Sequence, residues 1–379
     1  MSAPLVILAA GGTGGHMFPS EALAAALQER NVRLALLTDT RGGAFGATLG
    51  SLERHQVRSA GIAGQGFAAR LVSMRELALG VIQAHALLRR LSPRLAVGFG
   101  GYASVPAMLA ASFTPCRTLI HEQNAVLGRA NRLLASRVDC IATSFAEVRR
   151  IAPKAAAKIV RTGMPLRPAF IAARAAPYPR HERSREFRVL VLGGSQGARV
   201  FSDVVPDAVR MMSQTARQAL RICQQCRPED VERVRAAYAA IGVQADLAAF
   251  FADVPDRLAA AHLVIARSGA STVAELTGVG RPSILVPYPF ATDDHQSVNA
   301  AELDRQGGAW MIPQGDLKPE RLAAQLESSW RAPEMLAAAA AKARAAGQPD
   351  ATAKLAELVS AMLDAGCARS AGERARKAA

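Results

Sequence analysis

Two stretches of this chain set chemistry-bearing residues beside glycine: "GGTGGH" over residues 11 to 16 and "GGSQGA" over residues 193 to 198. A glycine-rich turn that opens a helix aligns backbone N–H groups with the positive end of the helix dipole, so it attracts phosphate or another electron-rich group. Glycine is needed there because a Cβ would block close approach or forbid positive φ. Two more such turns occur at Gly100 and Gly101 and at Gly269. Any one of them also reads as a simple tight turn. Four at equivalent places favour a ligand over simple tight turns.

His16 adds acid–base chemistry to the first loop. A helix N-terminus disfavours the imidazolium, so His16 should be neutral and able to take a proton. The alternative is a structural turn histidine. Glu275, six residues after Gly269, could accept from two ribose hydroxyls or sit on a solvated helix face. "TDDHQSVNA" places Asp293, Asp294, His295 and Gln296 before a helix, where they could read sugar hydroxyls or simply cap it.

These residues need a scaffold, and the apolar pattern supplies one. Runs such as "PLVILAA", "RLALLT", "RLAVGF" and "RTLIHE", then "FRVLVLGG", "HLVIARS" and "PSILVPY", alternate with Ala/Leu-rich helical stretches. That alternation marks parallel sheets in α/β domains. The plan occurs twice. "VILAAGGTGGHMFPSEALAAAL" matches "VLVLGGSQGARVFSDVVPDAV", "LAVGFGGYASVPAMLAA" matches "LVIARSGASTVAELTG", and "RTLIHEQNAVLGRANRLLA" matches "RPSILVPYPFATDDHQSVNAAEL". Two Rossmann-like domains in tandem should face each other across a cleft, with ligands at the carboxyl ends of their strands. The Arg/Pro-rich residues 172 to 187 read as linker. The chain ends in helical pattern and a basic tail expected to be disordered.

A length of 379 residues suits two domains. The first residues lack the pattern of a signal peptide, and the apolar runs fall short of the roughly 18 residues of a bilayer span, so a cytoplasmic location is expected. Cys116, Cys140, Cys223, Cys226 and Cys367 form no disulfide framework. "CQQC", Cys223 to Cys226, lacks the second pair and the histidines of a zinc site. With 46 Lys+Arg against 31 Asp+Glu, an anionic partner is expected. Aromatic residues make up 5% and are not interleaved with basic ones as stacking platforms for single strands would be. A dinucleotide-dependent oxidoreductase, with Asp39 on a ribose, would want G-x-G-x-x-G, but Met17 stands where the third glycine belongs.

Together, "GGTGGHMFPSEALA", "VGFGGYASVPAMLAA", "HEQNAVLGRANRLLA", "GGSQGAR", "RSGASTVAEL" and "DDHQSVNA", in this order from about residue 5 to 300, resemble the MurG family of N-acetylglucosaminyltransferases. The resemblance implies a GT-B fold: an acceptor and membrane-docking domain over 1–167, a UDP-GlcNAc domain over 168–345, and a last helix over 346–379 that returns to the first. It implies inverting transfer of GlcNAc from UDP-GlcNAc to the 4-hydroxyl of MurNAc in undecaprenyl-linked lipid I, forming lipid II for peptidoglycan, with no cofactor and no obligatory metal. His16 matches the family's base. Thr13, Gly14, Gly15 and Asn124 should face the transferred sugar, and Arg167 and Ser195 the donor phosphates. Phe251 and Ala270, Ser271, Thr272, Val273, Ala274 and Glu275 match the uridine pocket, and Gln296 the sugar hydroxyls. Acceptor contacts fall on Gly14, Gly15, His16, Gly100, Gly101, Tyr102 and Glu122. The implied partners are the two substrates, an anionic membrane surface on the cytoplasmic face of the inner membrane, and cell-wall synthesis and division proteins, without nucleic acid. "FAARLVSMRELALGVIQAHALLRR", residues 67 to 90, could insert apolar side chains while its arginines meet headgroups, or pack as an ordinary amphipathic helix. Two departures stand out. "GMPLR" puts Met164 where the family has asparagine, which questions the support of Arg167. Gln224, Gln225, Cys226 and Arg227 replace a family motif and receive no role.

Overall fold

The computed structural model describes residues 3–11, 14–39, 46–59, 67–179, 186–194 and 197–378. These form two compact units. Unit 1 comprises residues 1–167 and 350–379, and unit 2 residues 168–349.

Unit 1 is built on seven parallel strands, β1 (Leu5–Ala9), β2 (Arg33–Thr38), β3 (Glu53–Gln56), β4 (Leu95–Gly98), β5 (Arg117–Glu122), β6 (Cys140–Thr143) and β7 (Ile159–Arg161), in the order β3-β2-β1-β4-β5-β6-β7. Both faces of a parallel sheet must be covered, and the alternation along β1 shows how. Ile7 and Ala9 join a cluster with Ala84 and Leu88 of the helix Phe67–Leu91. Val6 and Leu8 join another with Leu355, Ala356, Val359, Met362 and Leu363 of the C-terminal helix Ala351–Ala378. That helix therefore belongs to the first core although it follows the whole of unit 2, and each leucine it buries contributes about 2 kcal/mol. Its backbone stays helical through the basic tail to Ala378, against the expected disorder: the tail holds Ala, Arg, Glu and Lys, good helix formers, and no proline.

Unit 2 carries six parallel strands, β8 (Phe187–Leu192), β9 (Leu220–Gln225), β10 (Gln244–Ala248), β11 (Leu263–Ala266), β12 (Ser283–Leu285) and β13 (Ala309–Met311), in the order β10-β9-β8-β11-β12-β13. The expected linker over 172–187 is corrected in part. Arg174 donates to the carbonyls of Thr277 and Gly278, and the Tyr178 hydroxyl donates to His262 O at 2.7 Å. Buried Arg281, 1% exposed, bonds the carbonyls of Leu258, Ala259, Val279 and Gly280. Arginine and proline mark this segment as a strap over helix C-termini, whose last carbonyls lack helical partners.

In each unit the strand order reverses beside the first strand, at β1/β4 and at β8/β11. Such a reversal opens the crevice in which doubly wound sheets bind ligands. All four glycine-rich turns follow one of these four strands.

Candidate active site

At the β1/β4 reversal, glycine permits close approach. A Cβ on Gly11 would lie 2.6 Å from Ala103 Cβ in the helix Gly101–Ala111. His16 stands in the first turn of the helix Gly14–Gln28. Gly100 and Gly101 have φ of 83° and 71°, and Cβ atoms there would come 3.4 Å from His16 Cε1 and 3.2 Å from Cδ2. The imidazole thus lies against a glycine pair that no other residue type could replace without strain. Half-buried Tyr102 follows on the same helix.

The turn after β5 completes this half. Gln123, 3% exposed, places Oε1 3.2 Å from His16 Nδ1. Its Nε2 donates to Phe99 O at 2.9 Å and to His121 O at 3.1 Å, and also lies 3.2 Å from His121 Nδ1. His121 is fully buried, with Nε2 3.0 Å from Gly163 O, and desolvation lowers its pKa to about 4. Glu122, 2% exposed, accepts from the Asn124 amide and side chain through Oε1, and from Gly128 N and Asn131 Nδ2 through Oε2. Both of its oxygens hold the loop that carries half-buried Asn124.

The Arg167 guanidinium stacks 4.5 Å from the centre of the Phe18 ring. This contact answers the question raised by Met164, which is buried with Sδ 3.6 Å from Ser144 Oγ. Phe18 escaped the sequence reading, although an aromatic two residues after His16 was a signal. Thr13 and Ser195 lie outside the described residues. Asp39 is 1% exposed and accepts from Ser59 Oγ, so it faces inward and not toward a ribose.

At the β8/β11 reversal, Gly194 and Gly197 take φ of 81° and 67°. A Cβ on Gly193 would strike Ala198 N. Gly269 caps the helix Ala270–Val279 without a side-chain cap bond, so the first-turn amides look to water or a ligand. Along that turn Ala270 and Val273 are buried, while Ser271, Thr272, Ala274 and Glu275 are half-buried. Phe251 is buried under the Arg257 guanidinium, 4.0 Å from its ring centre. Gln296 accepts from Tyr288 N through Oε1 at 3.0 Å, and its backbone oxygen accepts from Ser268 Oγ. Its amide NH2 is the end able to donate to a sugar.

Asp294 stands at the N-cap position of the helix His295–Arg305, but its carboxylate accepts from Ser297 Oγ at 2.6 Å and makes no cap bond to a backbone amide. Asp293 and Asp294 both adopt left-handed φ, 56° and 53°, a strain typical of functional loops. The four residues left without a role include two supports. Gln225 Nε2 donates to Ala249 O beside Phe251, and the Arg227 side chain would lie 3.0 Å from a Cβ on Gly197. The Cys223 and Cys226 thiols are free. Burial pushes Cys223 up to about 11 and raises Cys226 as well, so neither is a thiolate at neutral pH.

Known proteins match this arrangement along nearly the whole chain. The model of the glycosyltransferase family 28 N-terminal domain matches residues 6–143, and that of the family 28 C-terminal domain residues 188–355. The UDP-N-acetylglucosamine--N-acetylmuramyl-(pentapeptide) pyrophosphoryl-undecaprenol N-acetylglucosamine transferase of Paramagnetospirillum magneticum is 57% identical over 94% of this chain and 96% of its own length. The Rhodospirillum centenum transferase of the same name is 51% identical over the full length of both. The crystal structure of Acinetobacter baumannii MurG is similar with a TM-score of 0.75 and 28% identity, covering 94% of this chain and 99% of that one. The expected GT-B class of two Rossmann-like parallel-sheet domains holds, and the chain belongs to glycosyltransferase family 28.

Proposed function

We propose that this chain transfers N-acetylglucosamine from UDP-GlcNAc to the 4-hydroxyl of MurNAc in undecaprenyl-pyrophosphoryl-MurNAc-pentapeptide, with His16 as the base. The observation that carries the reading is the seat of His16, a half-buried imidazole in a helix's first turn, lying against Gly100 and Gly101 and bonded to Gln123. As the 4-hydroxyl oxygen attacks the anomeric carbon, His16 takes its proton. The bond from that carbon to the diphosphate breaks, UDP leaves with the electron pair, and the configuration inverts.

Unit 2 supplies most of the donor-binding elements in this reading, and Arg167 of unit 1 is added to them. The "GGSQGA" turn and Arg167 meet the diphosphate, whose charge grows as it leaves. The Phe251 backbone and the 270–275 turn hold uridine, with Glu275 on the ribose and the Gln296 amide donating to the sugar. Gly14, Gly15 and Asn124 border the transferred sugar, and Gly100, Gly101 and Tyr102 the acceptor.

The lipid substrate places the enzyme at the cytoplasmic face of the inner membrane. The helix Phe67–Leu91 fits such docking: Leu71, Val72, Met74 and Ile82 are more than half exposed, beside exposed Arg75, Arg89 and Arg90. Its segment Leu71–Leu91 is apolar and long enough to cross a bilayer by composition, contrary to the expectation that no stretch would be. Ala84 and Leu88 nevertheless bind it to the unit 1 core, which favours lying at the surface over crossing. Binding to vesicles with anionic headgroups should weaken as salt rises; salt-independent binding refutes the docking. Radiolabel transfer from UDP-GlcNAc to a lipid I analogue tests the reaction itself. His16→Ala should abolish transfer while UDP-GlcNAc binding stays nearly intact, and near-normal turnover removes His16 as the base.

A further inference from the structure

Gln123 has no obvious chemistry of its own, yet the orientation of its amide is fixed, because its nitrogen end faces carbonyls that can only accept. Its nitrogen faces the carbonyls of Phe99 and His121, at 2.9 and 3.1 Å. Turning the amide over would set an oxygen against two carbonyl oxygens, so the NH2 must point there. The oxygen is then the atom 3.2 Å from His16 Nδ1. A carbonyl oxygen accepts and cannot donate, so His16 Nδ1 carries the hydrogen. In a neutral imidazole the lone pair then sits on Nε2.

The same logic runs one residue deeper. His121 Nε2 lies 3.0 Å from Gly163 O, another pure acceptor, so that nitrogen carries the ring hydrogen and Nδ1 turns its lone pair toward the Gln123 amide at 3.2 Å. Protonation of His121 would set a donor against the Gln123 NH2 and break the arrangement. Complete burial opposes this and keeps the ring neutral down to about pH 4.

We propose that Gln123, backed by His121, is a positioning residue for the proton transfer: it locks His16 in the Nδ1–H tautomer and so directs the basic lone pair to Nε2. This rests on His16 being the base, but the tautomer is observable without turnover. Free histidine side chains favour hydrogen on Nε2, the form in which the nitrogen needed here is already occupied. Setting the tautomer through a hydrogen bond at the other nitrogen is a general means of aiming an imidazole.

The test is 15N NMR of the full chain labelled at its seven histidines, near pH 8, with the His16 signals identified by their loss in His16→Asn. A pyrrole-type Nδ1 and a pyridine-type Nε2 are expected in the unaltered protein, and the reverse pattern overturns the proposal with no variant required. In Gln123→Leu the His16 signals should move toward the Nε2–H form. Turnover should fall at least about tenfold while the KM for UDP-GlcNAc holds, and unchanged His16 signals with unchanged kcat overturn the lock. If His16 is locked as Nδ1–H while His16→Ala turns over normally, the base reading fails and the catalytic role of Gln123 falls with it, leaving the tautomer assignment intact.

Discussion

The turn after β5 in unit 1 and the turn after β12 in unit 2 occupy matching places in a duplicated plan, yet they are built in opposite ways. In the first, residues 121–123 are at most 3% exposed and every side chain bonds inward. In the second, Tyr288 and Phe290 are 43% and 80% exposed, Asp293 and Asp294 hold left-handed backbone, and the Asp294 side chain makes no capping bond. A loop that aims a proton acceptor must keep one geometry to within tenths of an ångström, which a buried, fully bonded polar network provides. A loop that reads sugar hydroxyls can remain at the surface and adapt. The duplicated fold thus assigns rigidity and adaptability to different halves.

The sharpest way to break the contrast is Glu122→Ala. It strips acceptors from two backbone amides and the Asn131 amide in a buried site, each worth about 1–3 kcal/mol when left unsatisfied. Chemical denaturation should show a loss of about 4 kcal/mol, with transfer activity lost as well because Asn124 and the 123–128 segment lose their frame. Retained stability would mean that the rigidity of the first loop does not come from this carboxylate.

Much of this was readable from residues alone, and the part that was not has a physical cause. Parallel strands announce themselves as apolar runs because both faces are buried, and glycine turns fall at strand-order reversals because backbone must approach closely there. The fold class and the place of the glycine loops therefore followed from pattern. The loop bonds of Glu122 were not legible because a motif records that a residue is present, not that its oxygens hold the loop's own amides. Gln123 went unseen because its meaning depends on His16, 107 positions away. Residues 174–178 looked like linker because arginine and proline suit solvent, and only the carbonyl ends of distant helices show what Arg174 bonds.

A second prediction sharpens the contrast through pH. His121 titrates near 6.5 when unfolded and near 4 when folded, so between those values the unfolded chain binds a proton that the native chain excludes. Stability from this group is whole above pH 6.5 and is lost as pH falls through 4, by about 3 kcal/mol in all. In His121→Phe, which keeps a ring beside Phe99 but cannot titrate, the denaturation free energy should be lower at pH 7.5 and fall less steeply toward pH 4. Parallel curves for the two proteins would show that His121 is not the group being kept neutral.

The smallest effect is expected in the exposed loop, where opposing contributions nearly cancel. Asp294→Gly removes the left-handed strain of a residue at φ 53°, a gain of about 1 kcal/mol for a side chain as tolerant of that region as aspartate. It also gives up the surface hydrogen bond to Ser297, about 0.5 kcal/mol, and adds backbone freedom to the unfolded chain worth about 0.5–1 kcal/mol. The net change should stay within about 1 kcal/mol of zero, while the proposed sugar-binding role of Gln296, two residues on, predicts a rise in the KM for UDP-GlcNAc. A loss of stability as large as that of Glu122→Ala would erase the division between a rigid loop and an adaptable one. An unchanged KM would remove the strained pair from the sugar-reading role and leave it a local irregularity at the start of the helix His295–Arg305.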